Sequence, residues 1–132
     1  MRNGSLASRG GGMIKILSVE DDPQIIALRQ AQLQKYSDDI TLLPAKSVNE
    51  ALELIGKHAD IKVALLDGEV LGGGKLPNTL ALLPALLELS NARIIACSSS
   101  DESNEKLLAE GAHEKCTKND VPKRVEALLW QE

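Results

Sequence analysis

The sequence predicts a doubly wound α/β fold, in which helices cover both faces of a five-stranded parallel sheet. Short continuous apolar runs, typical of buried parallel strands, alternate five times with segments of helical periodicity. The connections between these segments are short, and right-handed crossovers then favour a parallel sheet between two helical layers. The 132-residue chain is 43% hydrophobic but 2% aromatic, so its core is built from Leu, Ile, Val and Ala.

The first two β-α units are predicted from apolar runs followed by helix-start signals. A strand covers residues 14–19, and a helix runs over residues 23–36 with a proline suited to its first turn. A second strand covers residues 40–43. Residues 47–50 read Ser-Val-Asn-Glu, which resembles a capping box, and the helix that they open is predicted to stop at Gly56.

The third unit contains a strand, a glycine-rich loop and a helix that carries a proline. The strand at residues 62–66 leads into Asp67, and the following loop holds three glycines at residues 72–74. A leucine-rich helix covers residues 78–89. Pro84 lies inside it, where a proline removes a hydrogen bond and clashes with the preceding turn. The helix is therefore predicted to kink at Pro84 or to start only near it.

The last two units complete the sheet and the helical layers. A strand at residues 93–97 is followed by three serines at residues 98–100, and the next helix is predicted to close at Gly111. The fifth strand covers residues 113–117, and an amphipathic helix covers residues 121–130. No internal repeat or second domain is needed to account for the sequence.

The first twelve residues differ in composition from the rest. Residues 1–12 hold Gly, Ser, Arg and Asn with little to pack, and Met13 directly precedes the first apolar run, which predicts a tag-derived leader or a flexible tail before one domain at residues 13–132. The chain carries a net charge of −4, and this leader contributes Arg2 and Arg9 but no acid, so the domain is too acidic for nonspecific nucleic-acid binding. Without a secretory or membrane-spanning apolar stretch, we expect a cytoplasmic protein.

The cysteines and histidines do not form a recognisable reactive or metal-binding pattern. Cys97 and Cys116 lie inside predicted strands without metal-ligand spacing, which favours buried free thiols over a disulfide or a zinc site. His58 follows a helix and His113 opens a strand, and neither has a base or ligand partner in the sequence. Structural roles are expected for both histidines.

Acidic residues follow the first and third strands, and a lysine follows the fifth. The carboxyl ends of parallel strands meet at one edge of the sheet, so Glu20, Asp21 and Asp67 should meet in space. With Lys118, they indicate a divalent-metal site beside an aspartate that can be phosphorylated. The competing interpretation is that Glu20, Asp21 and Asp22 are solvated charges and a cap at a helix start, and that Lys118 is a surface lysine.

Four short motifs occur in a fixed order on this framework: VEDDP at residues 19–23, LLD at 65–67, IIACSS at 94–99 and GAHEKCTK at 111–118. From Met13 onward the chain resembles the receiver domains of bacterial two-component response regulators, including the chemotaxis receivers. The resemblance implies a flavodoxin-like sheet with the strand order 2-1-3-4-5.

The resemblance also assigns a metal site. It makes Asp67 the phosphoacceptor and an Mg²⁺ ligand, Asp21 a direct ligand, and Glu20 a ligand that acts through water. The backbone carbonyl of Glu69 is the expected third protein ligand. These assignments agree with the preference of Mg²⁺ for oxygen ligands at about 2.0–2.1 Å.

Two further residues are assigned to the chemistry by the same resemblance. Lys118 is expected to pair with Asp67 and then with a phosphoryl oxygen, as a point charge. Ser98 corresponds to the Ser/Thr switch, whose hydroxyl swings toward the new phosphoryl group. Phosphorylation adds about 1.5 to 2 negative charges, enough to shift a loop between two positions.

Several positions depart from the receiver pattern. Asn119 stands where a cis-proline commonly follows the lysine, so the Lys118–Asn119 bond is expected to be trans. Lys115 replaces the usual switch aromatic, so the output surface must work without a ring. Leu71 replaces a proline, and the loop with glycines at residues 72–74 is expected to be mobile.

Two side chains near the expected phosphoryl group should influence its lifetime. Glu69 adds an acid close to Asp67, where it can repel a phosphodonor, pair with Lys75 or another base, or orient a water molecule. Ser100, two residues after Ser98, is small and leaves the site open. The sequence does not give the sign of either effect.

The leading functional hypothesis is a phosphoacceptor receiver domain, either standing alone or cut from a larger protein. A histidine kinase or histidine phosphotransfer protein supplies the phosphoryl group, and the output is contact with a downstream protein, by a monomer or weak dimer that binds neither nucleic acid nor membrane. The alternative is a receiver-like interaction module that works without phosphorylation. A third hypothesis, a phosphoenzyme in which Asp67 is the nucleophile and Glu69 the second acid, lacks a substrate cap, so we expect no enzyme.

Overall fold

A computed structural model describes residues 14–35, 38–72 and 75–130. The predicted leader, Tyr36 and the second and third loop glycines, Gly73 and Gly74, lie outside the described residues. Within the described ranges, no helix combines the length and the apolar character needed to cross a membrane.

Five parallel strands form one sheet in the order β2-β1-β3-β4-β5, as the sequence predicts. The strands are β1 (Ile14–Val19), β2 (Ile40–Ala45), β3 (Ile61–Leu66), β4 (Arg93–Ala96) and β5 (Glu114–Lys115). At the carboxyl edge, Val19 pairs with Leu66, and Leu66 pairs with Ala96. The residues that follow β1, β3 and β4 therefore start from the same level of the sheet.

Five α-helices cover the two faces: α1 (Pro23–Gln34), α2 (Val48–Lys57), α3 (Leu83–Leu89), α4 (Asp101–Ala109) and α5 (Val121–Trp130). On one face, Leu33 of α1 and Val125 of α5 share an apolar layer with Ile16. On the other face, the side chains of α2, α3 and α4 pack with Leu17 and neighbouring strand residues. This is the predicted flavodoxin-like, doubly wound arrangement, with a buried aliphatic layer on each side of the sheet.

Side-chain caps begin the first two helices where the sequence predicts them. Asp22 accepts a hydrogen bond from the Gln24 backbone N–H at 2.9 Å, with Pro23 at the first helical position. Ser47 accepts one from the Glu50 N–H at 3.1 Å. The return bond of a capping box is shifted by one residue, because Glu50 Oε1 accepts from the Lys46 N–H at 2.7 Å.

The leucine-rich segment after β3 is two elements rather than one helix. A short 3₁₀ helix at Asn78–Leu82 precedes α3, which begins at Leu83. Pro84 thus lies in the first turn of α3, where a missing N–H lacks a helical partner in any case. Of the two predicted outcomes, the late helix start is the one observed.

Several predicted boundaries are wrong, including those of two strands, since β2 continues to Ala45 and β3 begins at Ile61. Helix α2 continues through Gly56 to Lys57, because Gly56 does not take the positive φ of a helix stop, and the His58 N–H still bonds the Leu54 carbonyl at 3.0 Å. Strand β4 ends at Ala96 and β5, an edge strand with β4 as its partner, has two residues. Cys97 and Cys116 therefore lie one residue past the strands predicted to contain them.

Gly111 ends the turn after α4, as predicted. Its φ is +131°, a backbone conformation that other residues rarely adopt. A Cβ at this position would lie 2.9 Å from Leu87 Cδ1. The backbone angle is what favours glycine here, because the Leu87 methyl is the end of a flexible, half-exposed side chain that can move.

Glu114 joins three elements by ion pairs. Its carboxylate accepts hydrogen bonds from Arg93 Nε of β4 at 2.9 Å and from Arg124 Nε of α5 at 2.7 Å. Burial acts to raise the pKa of Glu114, but the hydrogen bonds from Arg124 and Arg93 outweigh it, so the pKa is lowered. Edge strand β5 is thereby fixed to β4 and α5.

We expect Glu114→Gln to lower the free energy of unfolding by about 1 kcal/mol at neutral pH, because both arginines lose a charged partner. Since the pKa is depressed in the folded state, the contribution is present above the unfolded-state pKa and lost as pH falls through the folded-state pKa. Urea unfolding at pH 7 measures the loss of stability, and the same measurement at pH 3 shows whether the loss disappears at low pH. The control is Glu126→Gln, which changes an exposed acid of α5. An equal loss at the two pH values would contradict this ion-pair account.

Candidate functional site

The carboxyl edge of the sheet brings three predicted acids together. Glu20 follows β1 and Asp67 follows β3, and the Asp67 N–H donates to the Val19 carbonyl at 3.1 Å. Glu20 is 1% exposed and Asp67 7%, whereas Asp21 is half-buried. One carboxylate oxygen from each of the three lies within 4.8 Å of the others. This convergence is the arrangement that the strand ends predict.

The donor set fits a divalent cation. Three carboxylates supply hard oxygen ligands, and in the absence of a cation their charges repel one another. The site opens into a cavity of about 450 Å³ whose lining includes every predicted site residue: Glu20, Asp21, Asp67, Glu69, Ser98 and Lys118. The role of the Glu69 carbonyl as a ligand stays a prediction.

Lys118 reaches the acids from a short 3₁₀ helix, Lys118–Asp120, that precedes α5. Its Nζ donates to Glu20 Oε1 at 3.0 Å and lies 3.6 Å from Asp67 Oδ2. Burial acts to lower the pKa of Lys118, but the hydrogen bond to Glu20 and the charge of Asp67 outweigh it and raise the pKa. The lysine is therefore a stable cation that is held closer to Glu20 than to Asp67.

The peptide bond between Lys118 and Asn119 is trans, as expected for a chain that lacks the usual proline. Within the described residues the cis bond is Leu76–Pro77. The lysine thus reaches the acids without the cis bond expected in related domains.

Ser98 is held in place by a residue that sequence reasoning missed. The Asn104 side chain accepts from the Ser98 N–H at 2.8 Å and donates to the Ser98 carbonyl at 3.0 Å. The Ser98 hydroxyl accepts from the Ser100 N–H at 3.1 Å. Asn104 is 5% exposed, and its position on the buried face of α4, three residues before Leu107, is the signal that could have identified it.

Gly68 allows the loop that begins with Asp67 to approach α4. A Cβ at Gly68 would lie 2.7 Å from Ser103 Cβ and 3.0 Å from Ser98 Oγ. The Gly68 N–H also donates to Asp67 Oδ1 at 2.8 Å. A larger residue would have to displace α4 or the serine loop.

Two polar residues of the 3₁₀ helix after β3 anchor the loop that begins with Asp67, and both were missed from the sequence. The Thr79 hydroxyl donates to the Asp67 carbonyl at 2.6 Å. The Asn78 side chain bonds both backbone groups of Val70, at 3.1 Å and 2.7 Å. At the far end, the Leu71 N–H donates to the Lys46 carbonyl at 3.0 Å. The described part of the loop, through residue 72, is anchored at both ends.

Arg29 of α1 is a fourth residue that the sequence did not reveal. Its side chain is 2% exposed, and its guanidinium lies beneath the acids, with Nη2 at 3.8 Å from Glu20 Oε1. Arg29 Nη1 donates to Ser18 Oγ at 2.9 Å. The signal was its spacing, four residues before the buried Leu33 on the same helix face.

Lys115 occupies the place of the usual aromatic and pairs with α4. Its Nζ donates to Asp101 Oδ1 at 2.8 Å and also to Glu105. These hydrogen bonds raise the pKa of Lys115 to about 12. The ion pairs join β5 to α4 at the surface.

The cysteines are free thiols, as predicted, but only Cys97 is fully buried. Burial raises the pKa of Cys97, and it raises that of the half-buried Cys116 to about 11. The histidines make structural contacts: His113 Nδ1 accepts from the Ile94 N–H at 2.9 Å, and His58 Nδ1 lies 3.2 Å from Lys15 Nζ.

No protein-family model matches the sequence, and no curated protein sequence matches it. Among solved structures, the BeF3-activated N-terminal receiver domain of RstA from Klebsiella pneumoniae is 27% identical, with a TM-score of 0.70 over 89% of this chain and 99% of that chain. A response regulator protein from Burkholderia pseudomallei, with a phosphorylated aspartic acid, a calcium ion and citrate, is 20% identical. Its TM-score is 0.71, over 89% of this chain and 67% of that chain.

A co-crystal structure of the Saccharomyces cerevisiae histidine phosphotransfer protein Ypd1 and the receiver domain of Ssk1 also matches. It is 18% identical, with a TM-score of 0.69 over 89% of each chain. The structural neighbours are consistently response-regulator receiver domains, which confirms the resemblance inferred from the four motifs.

We expect Asn104→Ala to lower the free energy of unfolding by about 2 kcal/mol, because it leaves a buried N–H and a buried carbonyl of Ser98 without partners. Chemical denaturation measures the loss. Asn49→Ala, the same change on the exposed face of α2, is the matched control. A loss no larger than that of the control would show that Asn104 does not hold the serine loop.

Proposed function

We propose that this chain, whose structural neighbours are receiver domains, is a signalling phosphoacceptor that takes a phosphoryl group on Asp67 in an Mg²⁺-dependent reaction. One observation carries the proposal. The carboxylates of Glu20, Asp21 and Asp67 meet within 4.8 Å, and Lys118 Nζ lies 3.6 Å from Asp67 Oδ2. An acceptor oxygen, a set of metal ligands and a fixed cation therefore share one cavity.

The chemistry follows from the charges of these groups. An Asp67 oxygen attacks the phosphorus of a phosphohistidine, the P–N bond breaks, and the imidazole leaves with its electron pair. Mg²⁺ held by Asp21, Glu20 and the Glu69 carbonyl would offset the charge of the carboxylates and of the phosphoryl oxygens. Positioning and charge compensation are most of what phosphoryl transfer requires of a protein.

Lys118 supplies the second positive charge. In the structure it lies nearer to Glu20 than to Asp67. The phosphoryl group brings about 1.5 to 2 additional negative charges to Asp67, so Lys118 moves toward it. Its raised pKa keeps the ammonium charged throughout.

Ser98 links the site to α4. Its hydroxyl accepts from the Ser100 N–H, and a phosphoryl oxygen offers it a partner to which it can donate. Because Asn104 holds the Ser98 backbone, a movement of Ser98 is transmitted to α4. The Lys115 pairs with α4 then carry the change to β5, in place of the aromatic.

The partners follow from the reaction and from the neighbours. A histidine kinase or a histidine phosphotransfer protein is the donor, an assignment supported by the Ypd1 complex among the similar structures. The output is a downstream protein that contacts the phosphorylated domain. In this proposal the chain acts as a signalling protein and not as an enzyme.

Asp67→Asn is expected to abolish incorporation of a phosphoryl group from acetyl phosphate and Mg²⁺, since an amide cannot replace the carboxylate nucleophile. Intact-mass spectrometry measures incorporation. Glu69→Gln is the matched control, because it removes a neighbouring carboxylate that is not the acceptor. Retained labelling in Asp67→Asn would show that another residue is the acceptor, and no labelling of the native chain would favour the interaction module that works without phosphorylation.

Asp21→Asn is expected to weaken Mg²⁺ binding by at least about tenfold, because a direct ligand loses its charge. Isothermal titration with MgCl₂ gives the dissociation constants. Glu102→Gln removes an exposed acid from the rim of the same cavity and controls for long-range charge. Equal weakening by both substitutions would remove Asp21 from the ligand set.

A further inference from the structure

Arg29 lies where an apolar residue would be expected. It precedes Leu33 by one helical turn on α1, and Leu33 packs in the apolar layer with Ile16 and Leu65. The Arg29 side chain is nevertheless 2% exposed. A guanidinium that is removed from water is destabilising by several kcal/mol unless charged or polar partners compensate for it. The contacts of Arg29 therefore decide what it does.

Those contacts leave the guanidinium incompletely satisfied. Nη1 donates to Ser18 Oγ at 2.9 Å, and Nη2 donates to Cys97 Sγ at 3.3 Å. A thiol is a weak acceptor, and within the described residues Nε has no hydrogen-bond partner. Glu20 is the charged group within ion-pair distance of Arg29 there, at 3.8 Å. The positive charge of Arg29 thus acts on the acidic site.

Glu20 is engaged on both of its oxygens. Oε1 faces two cations, Lys118 Nζ at 3.0 Å and Arg29 Nη2 at 3.8 Å. Oε2 accepts from the Asp22 N–H at 3.3 Å. Three carboxylates therefore face two cations, and the site carries one net negative charge instead of the two that it would carry without Arg29.

We propose that Arg29 is a positioning residue of the phosphoacceptor site, a built-in counter-ion that weakens divalent-cation binding and keeps Glu20 compensated when Lys118 leaves it. This inference rests on the proposed function, because that function supplies both the cation and the phosphoryl group. When the phosphoryl group draws Lys118 toward Asp67, the buried Glu20 retains Arg29. Lys118 can then move without leaving an unpaired buried carboxylate behind.

The test is isothermal titration of the native chain and of Arg29→Met with MgCl₂ at neutral pH and low ionic strength. Arg29→Met removes the charge and fills the space with an apolar side chain. We expect it to bind Mg²⁺ at least about fivefold more tightly, since a positive charge is lost close to the site. Arg29→Lys keeps the charge and should stay within about twofold of the native chain. A residue with only a structural role would not distinguish lysine from methionine in this way.

A second variant, Arg29→Gln, removes the charge but keeps a polar amide, and it replaces Arg29→Met if the latter does not fold. Labelling with acetyl phosphate runs in parallel on every protein. A native chain that is labelled, with an unchanged Mg²⁺ dissociation constant in the neutral variants, overturns this inference and leaves the proposed function intact. A native chain that neither binds Mg²⁺ nor is labelled, with neutral variants that do bind, supports the weakening of divalent-cation binding by Arg29 and overturns the proposed function. Absence of binding in all of these proteins overturns both.

Discussion

Repulsion among three carboxylates at one end of a parallel sheet is the constraint around which this site is organised. The sheet register places Glu20 and Asp67 side by side, and both are almost fully buried. Burial of these charges is unfavourable unless cations or hydrogen-bond donors compensate for them. Lys118 approaches from the end of β5 and Arg29 from α1, on the helical layer that α5 shares. The acids determine where these cations must lie.

The loops around the acids are fixed by polar side chains and by one missing side chain. Thr79 holds the Asp67 carbonyl, Asn104 holds Ser98, and Gly68 leaves room for α4. Each of these contacts joins segments that are close in space at the same edge of the sheet. A structural change at Asp67 therefore affects Gly68 and Ser98, both of which contact residues of α4.

Much of the framework could be predicted from the sequence, because burial produces periodicity. The observed ranges of β1 and α5 agree with those predicted from the apolar pattern. The three acids also lie together, as their positions after the strands predict. The edge strand β5 was overestimated, since apolar content does not report how many residues pair. Gly56 was mistaken for a helix stop, because glycine permits a positive φ without requiring it. Arg29 was missed because its partners Ser18 and Cys97 follow other strands of the sheet or lie in them. Asn104 was missed because it bonds the backbone of the Ser98 loop, whose shape periodicity cannot identify.

The junction between β5 and α4 contains surface ion pairs between the Lys115 ammonium and the carboxylates of Asp101 and Glu105. Surface ion pairs weaken as the salt concentration rises, because the Debye length is about 10 Å at 0.1 M and shortens further with added salt. The packing of a ring in an apolar slot does not weaken in this way. We therefore expect the junction between β5 and α4 to loosen as the salt concentration rises, while the aliphatic layers beneath it keep their packing.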